Sequence, residues 1–204
     1  MKAAKFTSRE YRLIAALALV FFATILSLAM FDIAVPQIRA EFSLPADTTS
    51  WFVIIFTIPY ILLMPFYGRL GDLLGRRRML VTGVLVFAAG SLICFVSTDV
   101  PLIILGRVVQ GLGAAAITPL ALSITTQQVE NAKRGKAIGT WNSFGPIAGI
   151  AGPVTAGLLI EAFGWRSVFL PSLAVILLSL PLVYRLLPKD TDSGSAAGVL
   201  RSYD

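Results

Sequence analysis

The sequence predicts an all-α membrane protein, a bundle of six membrane-spanning helices. Three observations carry this. Hydrophobic residues make up 56% of the 204 residues and charged ones 14%, whereas the surface of a soluble globule this size calls for about a quarter charged. The apolar residues fall into runs of about 20, the length of helix that crosses the hydrocarbon of a bilayer. Between the runs sit short clusters of charges and turn formers, and basic residues crowd into every second one.

Residues 1–12 form a basic N-terminal segment with Lys2, Lys5, Arg9 and Arg12. The run from Leu13 to Phe31 is longer than the core of a secretory signal. Its end, MFDIAVPQIRAEF, has no small-x-small cleavage site, so it reads as a retained first span. By run length the spans cover about 13–37, ending near Pro36 and Arg39, then about 51–67, 79–96, 100–124, 136–160 and 167–187. Breaks are expected at PADTTS (45–50), GRLGDLLGRRR (68–78), STDVP (97–101), VENAKRGK (129–136), EAFGWRS (161–167) and PKDTDSGS (188–195). The spans make one bundle over 13–187, and 188–204 reads as a polar linker. Tyr11, Trp51, Tyr67, Trp165 and Tyr184 near the span ends suit the headgroup level.

Basic residues set the orientation. The second connection holds Arg69, Arg76, Arg77 and Arg78, the fourth Lys133, Arg134 and Lys136, and the tail Arg185, Lys189 and Arg201. The connections on the other side hold only Arg39 and Arg166. Lysine and arginine stay on the cytoplasmic side, which puts both termini there. That alternation also accounts for the basic clusters without nucleic acid as a partner; the partner they indicate is the lipid bilayer.

Several function classes drop out. The chain has no histidine, and its single cysteine, Cys94, lies in an apolar run, so neither a disulfide framework nor a thiolate metal site is available. The GLGAAA after Arg107 resembles half of a dinucleotide fingerprint, but it lies inside a span with no preceding strand. There is no Walker A sequence, so uphill transport has to draw on an ion gradient or another subunit. No enzyme activity and no cofactor is expected.

Two ionisable residues fall within the apolar runs: Asp32 late in the first span and Arg107 early in the fourth. A charge in hydrocarbon costs about 2.5 kcal/mol or more even on the mildest scale, so such residues normally face protein or a water-filled path. A carboxylate there can take up and release a proton, whereas a guanidinium does not readily lose one. Asp32 therefore suits carrying a proton or meeting a cationic substrate, and Arg107 suits polarising the path or pairing with a carboxylate. The blander readings are that Asp32 helps end its helix near Pro36, and that Arg107 snorkels to the external headgroups. Gln110, three residues on, shares a face with Arg107, and the small residues that follow point to a helix facing protein.

In the 68–78 connection, Asp72 and Arg76 are four apart and face each other if the segment is helical. Gly68, Gly71 and Gly75 permit a tight turn and close backbone approach. The segment is either a latch between moving elements or a plain basic loop. In the fifth span Gly145, Gly149, Gly152 and Gly157, with Ala148 and Ala156 between, make much of one face small enough for close packing. Pro146 and Pro153 lie on nearly one face and bend the helix. This is a packing helix or a hinge.

Together these motifs resemble the N-terminal half of a major facilitator superfamily transporter, in particular the fourteen-helix drug:proton antiporters, over about residues 10–190. The pattern G-x-x-x-D-x-x-G-R-R/K is matched by Gly68, Asp72, Gly75, Arg76 and Arg77, and R-x-x-Q-G-x-G-A by Arg107, Gln110, Gly111, Gly113 and Ala114. The antiporter pattern G-P-x-x-G-G is matched by Gly152, Pro153 and Gly157, with Ala156 at the first of the paired glycines. The first-helix pattern is matched by Asp32, Ala34 and Pro36 with a shortened spacing, and WRSVF (165–169) resembles W-R-x-x-F.

The resemblance implies a six-helix half built as two inverted three-helix repeats. It also implies a cytoplasmic gate in which Asp72 and Arg76 clamp this half against another, proton coupling through Arg107, and a fifth helix bent as in exporters. The activity implied is efflux of lipophilic, often cationic, compounds in exchange for protons, across the cell membrane and by implication a bacterial inner membrane. One half supplies one wall of the path, so a second half of six or eight helices is expected from a C-terminal part or another chain. Tyr203-Asp204 resembles the start of a segment that leads into a next span, and the 204-residue chain is expected to be inactive alone. The alternatives are a uniporter or symporter for a metabolite, and a non-transporting fragment or scaffold. A topology reporter fused after Thr98 is expected to read external and one after Lys133 cytoplasmic; the reverse pattern contradicts the orientation.

Overall fold

The computed structural model describes residues 6–187, apart from the side chain of Thr49. The linker 188–204, with Lys189, Arg201, Tyr203 and Asp204, and the basic residues Lys2 and Lys5 lie outside the described residues. Among those described, six helical stretches are long and apolar enough to cross a membrane. Seven α-helices build them: α1 (Ser8–Glu41), α2 (Thr48–Leu74), α3 (Arg76–Phe95), α4 (Val100–Gln128), α5 (Arg134–Asn142), α6 (Phe144–Phe163) and α7 (Phe169–Leu186). Short 3-10 turns at Asn131–Lys133 and Trp165–Val168 introduce α5 and α7.

Most helices run past the apolar runs that announce them, because capping and pairing, not hydrophobicity, decide where they stop. The first begins at Ser8, where Thr7 and Glu10 form a reciprocal capping box: the Glu10 backbone N–H donates to the Thr7 hydroxyl while the Glu10 carboxylate accepts from the Thr7 N–H at 2.7 Å. It passes through Pro36 and continues to Glu41, so Asp32 sits well inside α1 and not at its end. The expected break at 68–78 shrinks to one residue: α2 runs to Leu74 and α3 starts at Arg76, with Gly75 between them at φ +97°. That left-handed conformation is open to glycine at no steric cost. At α4 the Asp99 carboxylate accepts from the Leu102 N–H at 2.8 Å, and Pro101 sits in the first turn, where its missing donor does no harm.

The expected fifth span divides in two. Proline clashes with the carbonyl four residues before it, and for Pro146 that residue is Asn142, where α5 ends. Pro146 then lies in the first turn of α6, and Pro153 lies within the helix.

Hydrocarbon offers no hydrophobic drive between helices, so close approach of backbones holds the bundle together. The tightest pairing is α3 against α4. A side chain at Gly90 would meet the Gln110 backbone N at 2.5 Å and the Gly106 carbonyl at 2.8 Å; one at Gly113 would strike Phe87 and Gly83. Across the other side of α4, Gly111 lets α2 in at the Phe56 carbonyl. Two apolar layers stack along the bundle axis, one around Leu17, Phe87, Leu120 and Trp141, the other around Met30, Phe31, Ile103 and Phe169. Large apolar side chains of α2 (Ile58, Leu62, Phe66) and α6 (Ile150, Val154, Leu158) point away from the bundle.

Candidate functional site

Arg107 stands in the second turn of α4, about 10 Å along the helix from its start, and only 1% of its surface is exposed. It does not snorkel. Its guanidinium lies between two aromatic faces, 4.0 Å from the centre of the Phe31 ring and 4.5 Å from that of Phe56. Such contacts are worth about 0.5–2 kcal/mol each, more as water is removed. Its Nη1 donates to Gln110 Oε1 at 3.0 Å, the partner expected from their spacing. Gln110 Nε2 in turn donates to the Ser91 hydroxyl at 2.8 Å and lies 3.4 Å from that of Ser27. One polar chain thus joins α4 to α3 and α1 inside an otherwise apolar layer.

No carboxylate of the described residues pairs with Arg107, and its Nε is buried with no hydrogen-bond partner among them. Its short-range contacts are rings and a neutral oxygen, with one donor unspent, while the charge of Asp32 attracts it from beyond ion-pair distance. Asp32 is the residue after Phe31. A helix turns by about 100° per residue, so while Phe31 points inward onto Arg107, Asp32 points outward with Ile33, Pro36 and Gln37, exposed on the surface of the bundle. It makes no ion pair with the described residues. Ser27, Ser91, Phe31 and Phe56 were not singled out in the sequence. The two serines were findable, as hydroxyls inside apolar runs; the rings look like any lipid-facing aromatic.

At the end of the bundle near the chain's N-terminus, the pairing expected of Asp72 and Arg76 is present: Arg76 donates from Nη2 at 2.6 Å and from Nε at 3.1 Å to one carboxylate oxygen. The Asp72 side chain keeps 60% of its surface and Arg76 23%. Gly71 lies against Leu120, while a side chain at Gly68 would meet nothing within 4 Å. The segment therefore has one face seated on α4 and one face, carrying Gly68 and Asp72, open. Arg77 turns back into its own bundle, where it donates to the Tyr184 carbonyl at 2.7 Å and stacks on that ring at 4.2 Å. Nearby, Lys133 bridges Glu130 at 3.0 Å and Glu10 at 3.6 Å.

The small residues of α6 divide between two faces, not one. Gly145, Ala148, Gly152 and Ala156 are buried, with Gly145 against Phe21 and Gly152 against Ala29 of α1. Pro146, Gly149, Pro153 and Gly157 are exposed, and nothing lies within 4 Å of a side chain added at Gly149 or Gly157. One face docks α6 in the bundle; the other is a smooth outward stripe.

At the opposite end a cluster gathers around Arg166, and its partner Glu41 was not foreseen. Arg166 Nη2 donates to Glu41 Oε1 at 3.0 Å, Trp165 Nε1 to Glu41 Oε2 at 2.6 Å, and Arg166 Nε to the Ser97 carbonyl at 2.8 Å. These bonds join the end of α1, the α3–α4 connection and the start of α7.

Gln110→Ala is expected to destabilise the purified chain by about 2–4 kcal/mol, because it removes the hydrogen-bond acceptor of a buried cation and one of the two bonds of the buried Ser91 hydroxyl. Ser27→Ala, at the weak end of the chain, and Asp32→Asn, exposed and in no ion pair, should each cost well under about 1 kcal/mol. Thermal unfolding in detergent reads all three; equal losses for Gln110→Ala and Asp32→Asn contradict the assignment.

Comparison with known proteins agrees with this geometry. The family model for the Major Facilitator Superfamily matches residues 17–200. Multidrug resistance protein Stp of Mycobacterium tuberculosis is 33% identical over 156 residues, 75% of this chain and 29% of its own length. Drug efflux pump JefA of the same species is 31% identical over 165 residues (80% and 32%), and riboflavin transporter RibZ of Clostridioides difficile 30% over 161 residues (79% and 35%). The chain thus spans about a third of the length of these relatives. The crystal structure of a bacterial homologue of the human lysosomal transporter Spinster, inward-facing and unoccupied, superposes with a TM-score of 0.80 at 18% identity, over 92% of this chain and 45% of that one. At that identity the likeness is one of fold.

Proposed function

The chain belongs to the Major Facilitator Superfamily, and on that premise we propose that it forms one half of a proton-coupled exporter of lipophilic or cationic compounds. The observation that carries this is the buried cation Arg107, which no carboxylate of the described residues touches, with the outward-facing carboxylate of Asp32 beyond its aromatic cover, near enough for the two charges to attract. A transporter of this architecture rocks two halves around a central path. In this reading the outward face of α1 lines that path. Asp32 binds a proton or a cationic substrate when the path opens to one side and releases it when the path opens to the other. Arg107 keeps its proton throughout and biases the exchange by its field. An electrical gradient supplies about 2.3 kcal/mol per charge per 100 mV.

The open face of the 68–77 segment, with Gly68 and the Asp72–Arg76 pair, serves as the gate against the facing half. The outward stripe Pro146, Gly149, Pro153 and Gly157 lets α6 approach a helix of that half closely. Both termini are assigned to the cytoplasm, since Arg9, Arg12, Arg76, Arg77, Arg78, Lys133, Arg134 and Lys136 cluster at one end of the bundle. The placement fits the inner membrane of a bacterium. Likeness to proteins named for drug efflux and multidrug resistance supports export of such compounds. Likeness at 30% identity to a riboflavin transporter favours a second reading, a metabolite carrier built on the same half.

In a transporter that carries this chain as its first half, Asp32→Asn and Arg107→Ala are each expected to lower proton-driven efflux by an order of magnitude or more at normal membrane abundance. The purified 204-residue chain alone should give no such flux in liposomes. Unchanged flux in both variants would mean a non-transporting scaffold role for these residues, and flux by the lone chain would overturn the need for a second half.

A further inference from the structure

The segments that join α2 to α3 and α6 to α7 share a spacing: glycine, three residues, an acid, two residues, glycine, one residue, arginine. The first is Gly68, Asp72, Gly75, Arg77 and the second Gly157, Glu161, Gly164, Arg166. They share a backbone as well. Gly75 and Gly164 are the two described glycines with positive φ, +97° and +78°, and each ends one helix and admits the next. The acids of both segments are exposed.

The two arginines also make the same long-range bond in opposite senses. Arg77, at the start of α3, donates to the carbonyl of Tyr184 in the last turn of α7, at 2.7 Å. Arg166, at the start of the α7 segment, donates to the carbonyl of Ser97, just past the end of α3, at 2.8 Å. Each guanidinium stacks on an aromatic ring, Tyr184 at 4.2 Å and Trp165 at 4.3 Å. The residue after each glycine differs: Arg76 reaches the acid of its own segment, Asp72, while Trp165 reaches Glu41 of α1.

We infer that Arg77 and Arg166 are equivalent staples of an inverted repeat, each capping the C-terminal end of the third helix of the other repeat, so that α3 and α7 are fastened at both faces of the membrane and the six helices move as one body. The last carbonyls of a helix lack partners within it, and the helix dipole makes that end negative. Arg77 satisfies both demands at the Tyr184 carbonyl, and Arg166 brings the positive charge to the same end of α3 while donating to the Ser97 carbonyl in the turn that follows it. In this account Arg77 is a positioning residue within its own half, distinct from the Asp72–Arg76 pair on the open face. The inference stands apart from the exporter reading, because every bond it uses lies within this chain.

Amide hydrogen exchange of the purified 204-residue chain in lipid nanodiscs tests it. Arg77→Gln should raise exchange about tenfold, as expected for loss of a bond from a charged donor, in residues 183–187, leaving 96–98 unchanged. Arg166→Gln should do the converse, and Glu161→Gln neither. The lysine variants, which keep the charge and a donor but lose the planar stack, should show the same pattern at smaller amplitude. Should a glutamine variant fail to accumulate, its lysine counterpart carries the test. Exchange raised evenly over all six spans, raised only beside the substituted residue, or unchanged at the distant helix end would overturn the inference.

Discussion

In hydrocarbon a polar group that finds no partner inside the protein finds none at all, and the architecture of this chain answers that constraint. Backbone amides meet it by closing into helices, which is why the apolar runs coil. One carbonyl in the last turn of α7 meets it through Arg77, and one just past the end of α3 through Arg166. Arg107 meets it through Phe31, Phe56 and Gln110, and Gln110 through Ser91. Asp32 is turned away from the bundle and makes no ion pair with the described residues, though the Arg107 charge still reaches it.

The same medium removes the usual reason for helices to adhere, since lipid is as apolar as leucine. Glycines take over. Gly83, Gly90, Gly106 and Gly113 let α3 and α4 meet at the level of their backbones, and Gly152 does so for α6 on α1. Among the glycines with empty space around them, Gly68, Gly149 and Gly157 lie within the long helices α2 and α6, on surfaces that have the shape for such contact but no neighbour within the bundle. Large apolar side chains of both helices point outward as well. A half that spans about a third of its relatives' length leaves such surfaces where a second half is proposed to sit.

The number of spans was legible because run length is a property of single segments. Their ends were not, because an end depends on partners. The first helix reaches Ser8 through the Thr7–Glu10 box, and α2 continues past Gly68 to an acid that Arg76 pairs with from the far side of Gly75. Local pairs were readable from spacing alone: Asp72 with Arg76, and Arg107 with Gln110. Pairs across the fold were not, and Glu41 with Arg166, 125 residues apart, has no local signature. The glycine spacing of α6 announced a small surface. Only the packing of α1 against it shows that the residues divide into a docked face and an open one.

The contrast between a sheltered cation and an outward acid is tested most directly by thiol labelling from water in a transporter that carries this chain as its first half, with Cys94 replaced by alanine. A thiol reacts with a water-borne methanethiosulfonate only where water reaches it. Asp32→Cys should label readily and Arg107→Cys should stay inert. A reactive thiol at 107 together with an inert one at 32 would place the path on the other side of Phe31 and contradict the account.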